Sequence, residues 1–242
     1  MEFPNESADY RAARDRLLGK EVEERRMMEE VAIARRALPE GGLLKEDYLF
    51  DEVDASGSVK RTRFSELFAP GKDTLVVYNF MFPRDPQDDR LAGKESSTRR
   101  LTLFESPCPS CVAVLDQLDG AARHVGVHLN FVVIAKTAAT NLAAFGRDRG
   151  WRFLRLLSAR GTTFKRDYHG ETADGAQRPL LSVFTRSGGA IRHFWSSELL
   201  YAPPEPGQDP RHVGTLEPLW NMFDLTREGR PSGWDEQLSY PG

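Results

Sequence analysis

The chain of 242 residues contains two cysteines, three positions apart, in the sequence Cys108-Pro109-Ser110-Cys111. Two thiols at this spacing lie on one helical turn, where they can exchange a disulfide with a substrate and then with each other. The pattern predicts an exposed nucleophile at Cys108 and a partly buried resolving thiol at Cys111. A single pair is too small for a disulfide-stapled scaffold or a four-cysteine zinc site.

Two other interpretations of the pair stay open. The two thiols are either inert neighbours, or they bind a metal ion together with histidine side chains. None of the five histidines stands at a metal-binding spacing from the cysteines. We therefore expect no metal.

Pro109 and Ser110 place the pair at the start of a helix. Proline suits the first helical position, where its missing N–H costs nothing and its φ is preset. Cys108 then caps the helix, with its sulfur over unpaired N–H groups at the positive end of the helix dipole. A thiolate is stabilised there, so we expect the pKa of Cys108 to fall below that of a free cysteine.

The segments around the cysteines have the patterns of alternating strands and helices. Apolar runs at Thr74–Phe82 and His128–Ala135 are typical of strands buried on both faces of a sheet. Cys111–Val125 has apolar residues every three or four positions, which predicts a helix between them. Such units pair their strands in parallel and predict an α/β sandwich with a mixed sheet. Further predicted elements are a hairpin over Tyr48–Val53 and Val59–Arg63, a helix over Thr137–Asp148, and a hairpin over Leu180–Arg186 and Ala190–Ser196.

Three regions are expected along the chain. Residues 1–42 form an N-terminal helical extension, capped at Ser7 or Asp9, whose apolar stripe either packs on the main domain or forms a homodimer arm. Residues 43–230 form the α/β domain, with 83–107 as a long loop or insertion and a last helix over Leu216–Leu225. Residues 231–242 are expected to be a loose tail.

Composition and charge exclude several classes of partner. The chain has 33 Lys and Arg against 36 Asp and Glu, a formal net charge of −3. This balance argues against a nucleic-acid partner attracted by overall charge. The N-terminus lacks the pattern of a signal peptide, and no apolar run reaches roughly 18 residues. We expect a cytoplasmic protein without a membrane partner, in a compartment where a close thiol pair is redox-active.

The opening hairpin and turn contain Asp54–Gly57, Phe64–Leu67 and Gly71-Lys72 before a hydrophobic strand. With the order of the elements, they resemble the peroxiredoxin-like branch of the thioredoxin superfamily. A second set of segments is Arg35–Pro39, Asp47–Phe50, Val76–Phe82, Cys108–Cys111, Gly150–Phe153, Phe164, Asp167–His169, Leu181–Phe184, Asp224–Thr226 and Gly229-Arg230. Through these, the chain is more closely similar to domain-of-unknown-function family eight-nine-nine over most of residues 10–230.

The resemblance implies a thioredoxin-like three-layer sandwich with a central mixed sheet, an N-terminal helical extension and an N-terminal β-hairpin. It implies a thiol–disulfide oxidoreductase that needs no organic cofactor. Its partners would be a protein or small-molecule disulfide as substrate and a dithiol as electron donor. In thioredoxin-like proteins a cis proline before the last hairpin faces the cysteines. We therefore expect a cis Arg178–Pro179 bond beside the pair, shaping a groove for the substrate.

The chain departs from the superfamily at three positions. Asn79 is the polar residue nearest to the place of thioredoxin's buried acid. Because an amide cannot accept the proton of Cys111, base help must come from water or another residue. Pro107 replaces the tryptophan before the first cysteine. Glu105 occupies the place of a threonine in peroxiredoxins.

Two further questions stay open at this point. Asp167, Tyr168 and His169 either bring an imidazole near the thiolate, which would raise its reactivity, or tie down a loop. The function also has two alternatives to the oxidoreductase. One is a thiol peroxidase in which Cys108 becomes a sulfenic acid that Cys111 resolves. The other is a non-catalytic thioredoxin-like interaction module.

Overall fold

The computed structural model describes residues 1–94, 96–209, 225 and 232–238. The helix predicted over 216–225 therefore lies outside the described residues, apart from its last position. The chain divides into two compact units, residues 1–41 and 42–242.

The first unit is a single long helix, α1, over Ala8–Arg36. The Ser7 hydroxyl caps it by accepting a hydrogen bond of 3.1 Å from the Tyr10 amide, which confirms the predicted start. None of its side chains is buried. Both interpretations of its apolar stripe stay predictions.

The second unit is built on a seven-stranded sheet with the strand order β2-β1-β5-β4-β3-β6-β7. Strands β3, β4 and β5 are parallel, whereas both hairpins are antiparallel, so the predicted mixed sheet is confirmed. The strands are β1 Leu49–Val53, β2 Val59–Arg63, β3 Thr74–Asn79, β4 Asn130–Ala135, β5 Arg155–Ser158, β6 Leu180–Ser187 and β7 Ala190–Ser196; the helices are α2 Pro109–Val125, α3 Ala139–Arg149 and the short α4 Phe164–Asp167.

The sheet separates two hydrophobic clusters, as the apolar runs predict. Along β3, Val77 belongs to one cluster and Tyr78 to the other, because successive side chains of a strand point to opposite faces. The thiol-side cluster contains both cysteines and is covered by α2 and α3. The aromatic cluster on the other face is covered by α4 and a 3₁₀ turn at Phe64–Leu67. The predicted three-layer α/β sandwich with a central mixed sheet is confirmed.

Residues 83–107 leave the sheet after β3 and return to the same place. The Cys108 amide donates to the Met81 carbonyl at 3.0 Å, and the Arg84 amide donates to the Ser106 carbonyl at 2.9 Å. These two hydrogen bonds close the base of the loop. The first turn of α2 therefore lies against the end of β3.

Phe164 is the centre of the aromatic cluster and provides a test of this packing. Its ring is fully buried, with centroids 5.2 Å from Tyr48 and 5.4 Å from Phe50. We expect Phe164→Ala to lower the free energy of unfolding by about 3–5 kcal/mol in urea denaturation. The control Phe104→Ala removes a ring that is 50% exposed and should change it little. Equal effects of the two substitutions would contradict this core.

Candidate active site

Cys108 is the N-cap of α2, and Pro109 occupies the first turn, as expected from the sequence. Both thiols are free. Cys108 is 1% exposed and Cys111 2% exposed, so the expected exposure of Cys108 is wrong. The physical reason is that Glu236 and Leu238, from the C-terminal part of the chain, also pack at this site.

The two thiols are hydrogen-bonded to each other, and their pKa values move in opposite directions. The hydrogen bond from Cys111 lowers the pKa of Cys108 against the opposing effect of burial, and the positive charge of Arg90 lowers it further. Burial raises the pKa of Cys111, and its bond to Cys108 raises it again. The pair is therefore polarised: Cys108 is the thiol that ionises first, and Cys111 is the one that keeps its proton.

Arg90 lies directly against the thiolate. Its Nη2 is 3.6 Å from the Cys108 sulfur, and its Nη1 donates to the Ser110 hydroxyl at 2.9 Å. Asp88 accepts from the Arg90 Nε and Nη2 at 2.9 and 2.8 Å, which fixes the plane of the guanidinium. Arg84 is 2% exposed in the same loop, and its charge also interacts with Cys108. The sequence analysis did not identify either arginine. The cluster of Arg and Asp residues after β3 is the pattern that could have indicated them.

Cys111 faces a different set of groups. The Tyr78 side chain and the Met81 backbone hydrogen-bond to it. Lys165 is 1% exposed and donates from Nζ to the Phe80 carbonyl at 2.8 Å. Burial lowers the pKa of Lys165 to about 7, although the charge of Cys111 acts in the opposite direction. Lys165 was missed from the sequence because one lysine in a short helix carries no signal of burial.

Asn79 is fully buried and belongs to the sheet rather than to the thiols. Its Nδ2 donates to the Leu180 carbonyl at 3.3 Å. Gly170 packs so closely on its side chain that a Cβ there would stand 2.7 Å from the Asn79 oxygen. The amide therefore joins β3 to the start of β6.

The Arg178–Pro179 bond is trans, so the expected cis bond is wrong; the cis X–Pro bond in the described residues is Phe82–Pro83. A trans bond is the lower-energy form of X–Pro by about 0.5–1 kcal/mol. The segment is held as it is by neighbours: the Arg178 amide donates to Gly170, and the Tyr201 hydroxyl donates to the Pro179 carbonyl. Burial raises the pKa of Tyr201, and the charge of Cys111 adds to that rise, so this segment lies on the Cys111 side.

Asp167 and Tyr168 lie with the aromatic cluster on the opposite face of the sheet. Asp167 accepts from the Lys45 ammonium at 2.6 Å and from the Tyr48 hydroxyl at 2.8 Å. The loop-tying interpretation therefore fits these two residues. His169 is exposed, with a φ of +58°, and lines a cavity of about 980 Å³ together with Arg178 and Tyr201.

Within the C-terminal residues 232–238, Glu236 and Leu238 pack onto the thiol site, so the expected loose tail is wrong for this part. Glu236 is 2% exposed and accepts from the Ser110 hydroxyl at 2.9 Å. Leu238 is 1% exposed and belongs to the thiol-side cluster. Both contacts pair residues far apart in sequence, which no local pattern reveals.

Two further properties concern the part of the chain that the structure describes. Within it, no three His, Cys, Asp or Glu side chains stand together as a metal site. No helix there has the length and apolar character needed to cross a membrane.

The family described as "Bacterial protein of unknown function (DUF899)" matches residues 1–239. The chain belongs to this family. No curated protein matches it.

Solved structures similar to this DUF899 member include reduced Prx3 of Vibrio vulnificus in complex with H2O2, at 14% identity and a TM-score of 0.40, covering 71% of this chain and 91% of the other. A peroxiredoxin-like protein of Aquifex aeolicus has 11% identity and a TM-score of 0.40, covering 66% and 75%. The mitochondrial 2-Cys peroxiredoxin of Plasmodium falciparum has 9% identity and a TM-score of 0.41, covering 74% and 92%.

The polarisation of the pair can be measured by thiolate absorbance across pH. We expect Arg90→Met to raise the pKa of Cys108 by about one unit, because the thiolate loses its adjacent positive charge. Cys111→Ala should raise it further, because the hydrogen bond from Cys111 is the larger cause. Arg99→Met removes an exposed arginine of the same loop and should leave the midpoint unchanged. Equal midpoints in all four proteins would contradict the assignment.

Proposed function

We propose that this protein is a thiol–disulfide oxidoreductase that works through a Cys108–Cys111 dithiol/disulfide couple. The observation that carries the proposal is the hydrogen-bonded pair of free thiols at a helix N-terminus, with the pKa of Cys108 lowered and that of Cys111 raised. A low pKa supplies the attacking thiolate, and a high pKa keeps the resolving thiol protonated until it is needed.

The first step is attack of the Cys108 thiolate on a substrate disulfide. A bond forms between Cys108 and one substrate sulfur, and the other substrate sulfur leaves as a thiolate that takes a proton from solvent. Arg90 stabilises the thiolate before attack from its position 3.6 Å away. The product is a mixed disulfide on Cys108.

The second step is resolution by Cys111. Its thiol loses a proton, and the resulting thiolate attacks the Cys108 sulfur, so that the bond between Cys108 and the substrate breaks. The substrate sulfur leaves as a thiolate that takes a proton from solvent, and the two cysteines become a disulfide. Lys165 is the proton acceptor in this proposal, because burial favours its neutral amine close to Cys111. Lys165 thus provides the general base that Asn79, as an amide, cannot provide.

The proposed couple returns to its reduced state through a dithiol donor, with two electrons passed on in each cycle. It takes a protein or small-molecule disulfide as substrate and requires no organic cofactor. The chemistry of the two cysteines is sufficient for every bond that forms and breaks.

Trapping of the mixed disulfide tests the proposal. Reduced protein is mixed with oxidised glutathione or a disulfide-containing protein, and the product is weighed by mass spectrometry. Cys111→Ser should retain one substrate half on Cys108, because the resolving thiol is gone. Wild type should instead accumulate the Cys108–Cys111 disulfide.

The matched control is Cys108→Ser, which keeps Cys111 and should retain no substrate. Equal trapping on both variants, or wild type that never forms its internal disulfide, would sink the proposal. Peroxide consumption that is faster than disulfide reduction and lost in Cys108→Ser would support the thiol peroxidase instead. If neither reaction is observed, the non-catalytic interaction module is the hypothesis that remains.

The role of Lys165 has a separate test in the pH dependence of resolution. In wild type the rate should rise through the pKa of Lys165, about 7, as the amine becomes neutral. We expect Lys165→Met to slow resolution about 10²-fold at neutral pH and to move the rise to more alkaline pH. The mixed disulfide of each protein is formed at acidic pH, where resolution is slow. Stopped-flow mixing with buffer at each test pH then measures the release of the substrate thiol, which reports this step alone.

Stability against pH separates this role from a folding defect. The folded pKa of Lys165 lies below its unfolded value, so the unfolded state binds more protons between pH 7 and about 10 and stability rises with pH there. Lys165→Met should remove this rise without unfolding the protein. The control Lys20→Met changes an exposed lysine of α1 and should alter neither profile. An unchanged resolution profile in Lys165→Met would refute its role.

A further inference from the structure

Residues 234–238, which we name the C-terminal strap, lie directly over the cysteine pair. Leu238 shares the thiol-side cluster with Cys108 and Cys111, and the Glu236 carboxylate accepts from Ser110, inside the Cys-Pro-Ser-Cys turn. Both cysteines are at most 2% exposed beneath this cover. A disulfide of any size needs a path to Cys108 before the proposed reaction can begin.

Two arginines make polar contacts with the strap. Arg90 donates from Nη1 to the Glu236 carbonyl at 3.3 Å, and its Nη1 lies 3.7 Å from the Glu236 carboxylate. Arg149, on α3, donates to the Leu238 carbonyl at 2.9 Å. Arg90 therefore contacts the nucleophile and its cover at the same time.

In the closed position, the strap contains a buried polar atom that has no hydrogen-bond partner. The described residues 234–238 form no helix or strand, so no backbone ladder holds them in place. The Glu236 Oε1 is buried without a hydrogen-bond partner. A buried carboxylate with an unpaired oxygen carries a desolvation cost, which lowers the free energy needed to open the segment.

We propose that the C-terminal strap is a gate over the Cys108–Cys111 pair, closed by Glu236 and Leu238, and that it must open before a substrate disulfide reaches Cys108. The proposal rests on the proposed function, because a gate matters only where Cys108 reacts. Alkylation of Cys108 measures access whether or not the protein exchanges disulfides, so the two proposals fail separately.

The test is the rate of Cys108 alkylation by iodoacetamide from mildly acidic to alkaline pH, followed by mass spectrometry. The midpoint of the rate profile reports the thiol pKa, whereas its alkaline plateau reports access. We expect Glu236→Gln to raise the plateau about tenfold, because the strap loses a charge-assisted hydrogen bond. Leu238→Asp should raise it at least as much, because its carboxylate cannot stay in the apolar cluster.

The matched control is Glu21→Gln, the same substitution at an exposed residue of α1, which should leave the plateau at the wild-type value. A synthetic peptide of residues 232–238 should slow alkylation of Leu238→Asp again, which a merely misfolded variant would not show. Equal plateaus in wild type, Glu236→Gln and Leu238→Asp would overturn the gate, as would failure of the peptide to slow the open variant.

Discussion

The hydrogen bond from the Cys108 amide to the Met81 carbonyl holds the start of α2 against the end of β3, and the thiol site depends on it. Residues 83–107 intervene between strand and helix, so chain continuity alone does not bring Cys108 there. Once the amide is fixed, Pro109 sets the direction of the helix, and Cys111 follows one turn later beside Tyr78. The polarity of the pair is a consequence of that placement.

Buried charge is the second constraint on the site. Arg90 contacts the Cys108 sulfur, Asp88, Ser110 and Glu236, so the donors of this half-buried guanidinium have partners. On the other side of the pair, Lys165 has the carbonyl of Phe80 as its partner. The charge of Arg90 is thus neutralised by carboxylates, whereas burial favours the neutral amine of Lys165. This asymmetry matches the two thiols, because the pKa of Cys108 is lowered and that of Cys111 is raised.

Local patterns predicted much of the fold. The hairpin over β1 and β2, the buried strands β3 and β4, and the helix after the cysteines follow from period-two or period-3.6 patterns and from turn residues. The cap position of Cys108 also followed from Pro109 alone. The prediction of a cis Arg178–Pro179 bond was wrong. The contacts of that segment with Gly170 and Tyr201 cannot be predicted from its neighbouring residues in the sequence.

The sequence by itself determined which atoms have the chemistry: two thiols on one turn, at the mouth of a strand–helix unit, in a chain that folds as an α/β sandwich. Only the tertiary structure decided what surrounds them. Arg90, Lys165 and Glu236 come from a loop, a short helix and the C-terminal segment, and they converge on the pair across long stretches of chain. The reason is physical: spacing along a chain fixes contacts within a turn, whereas pKa values and access depend on burial and on charges that folding brings together.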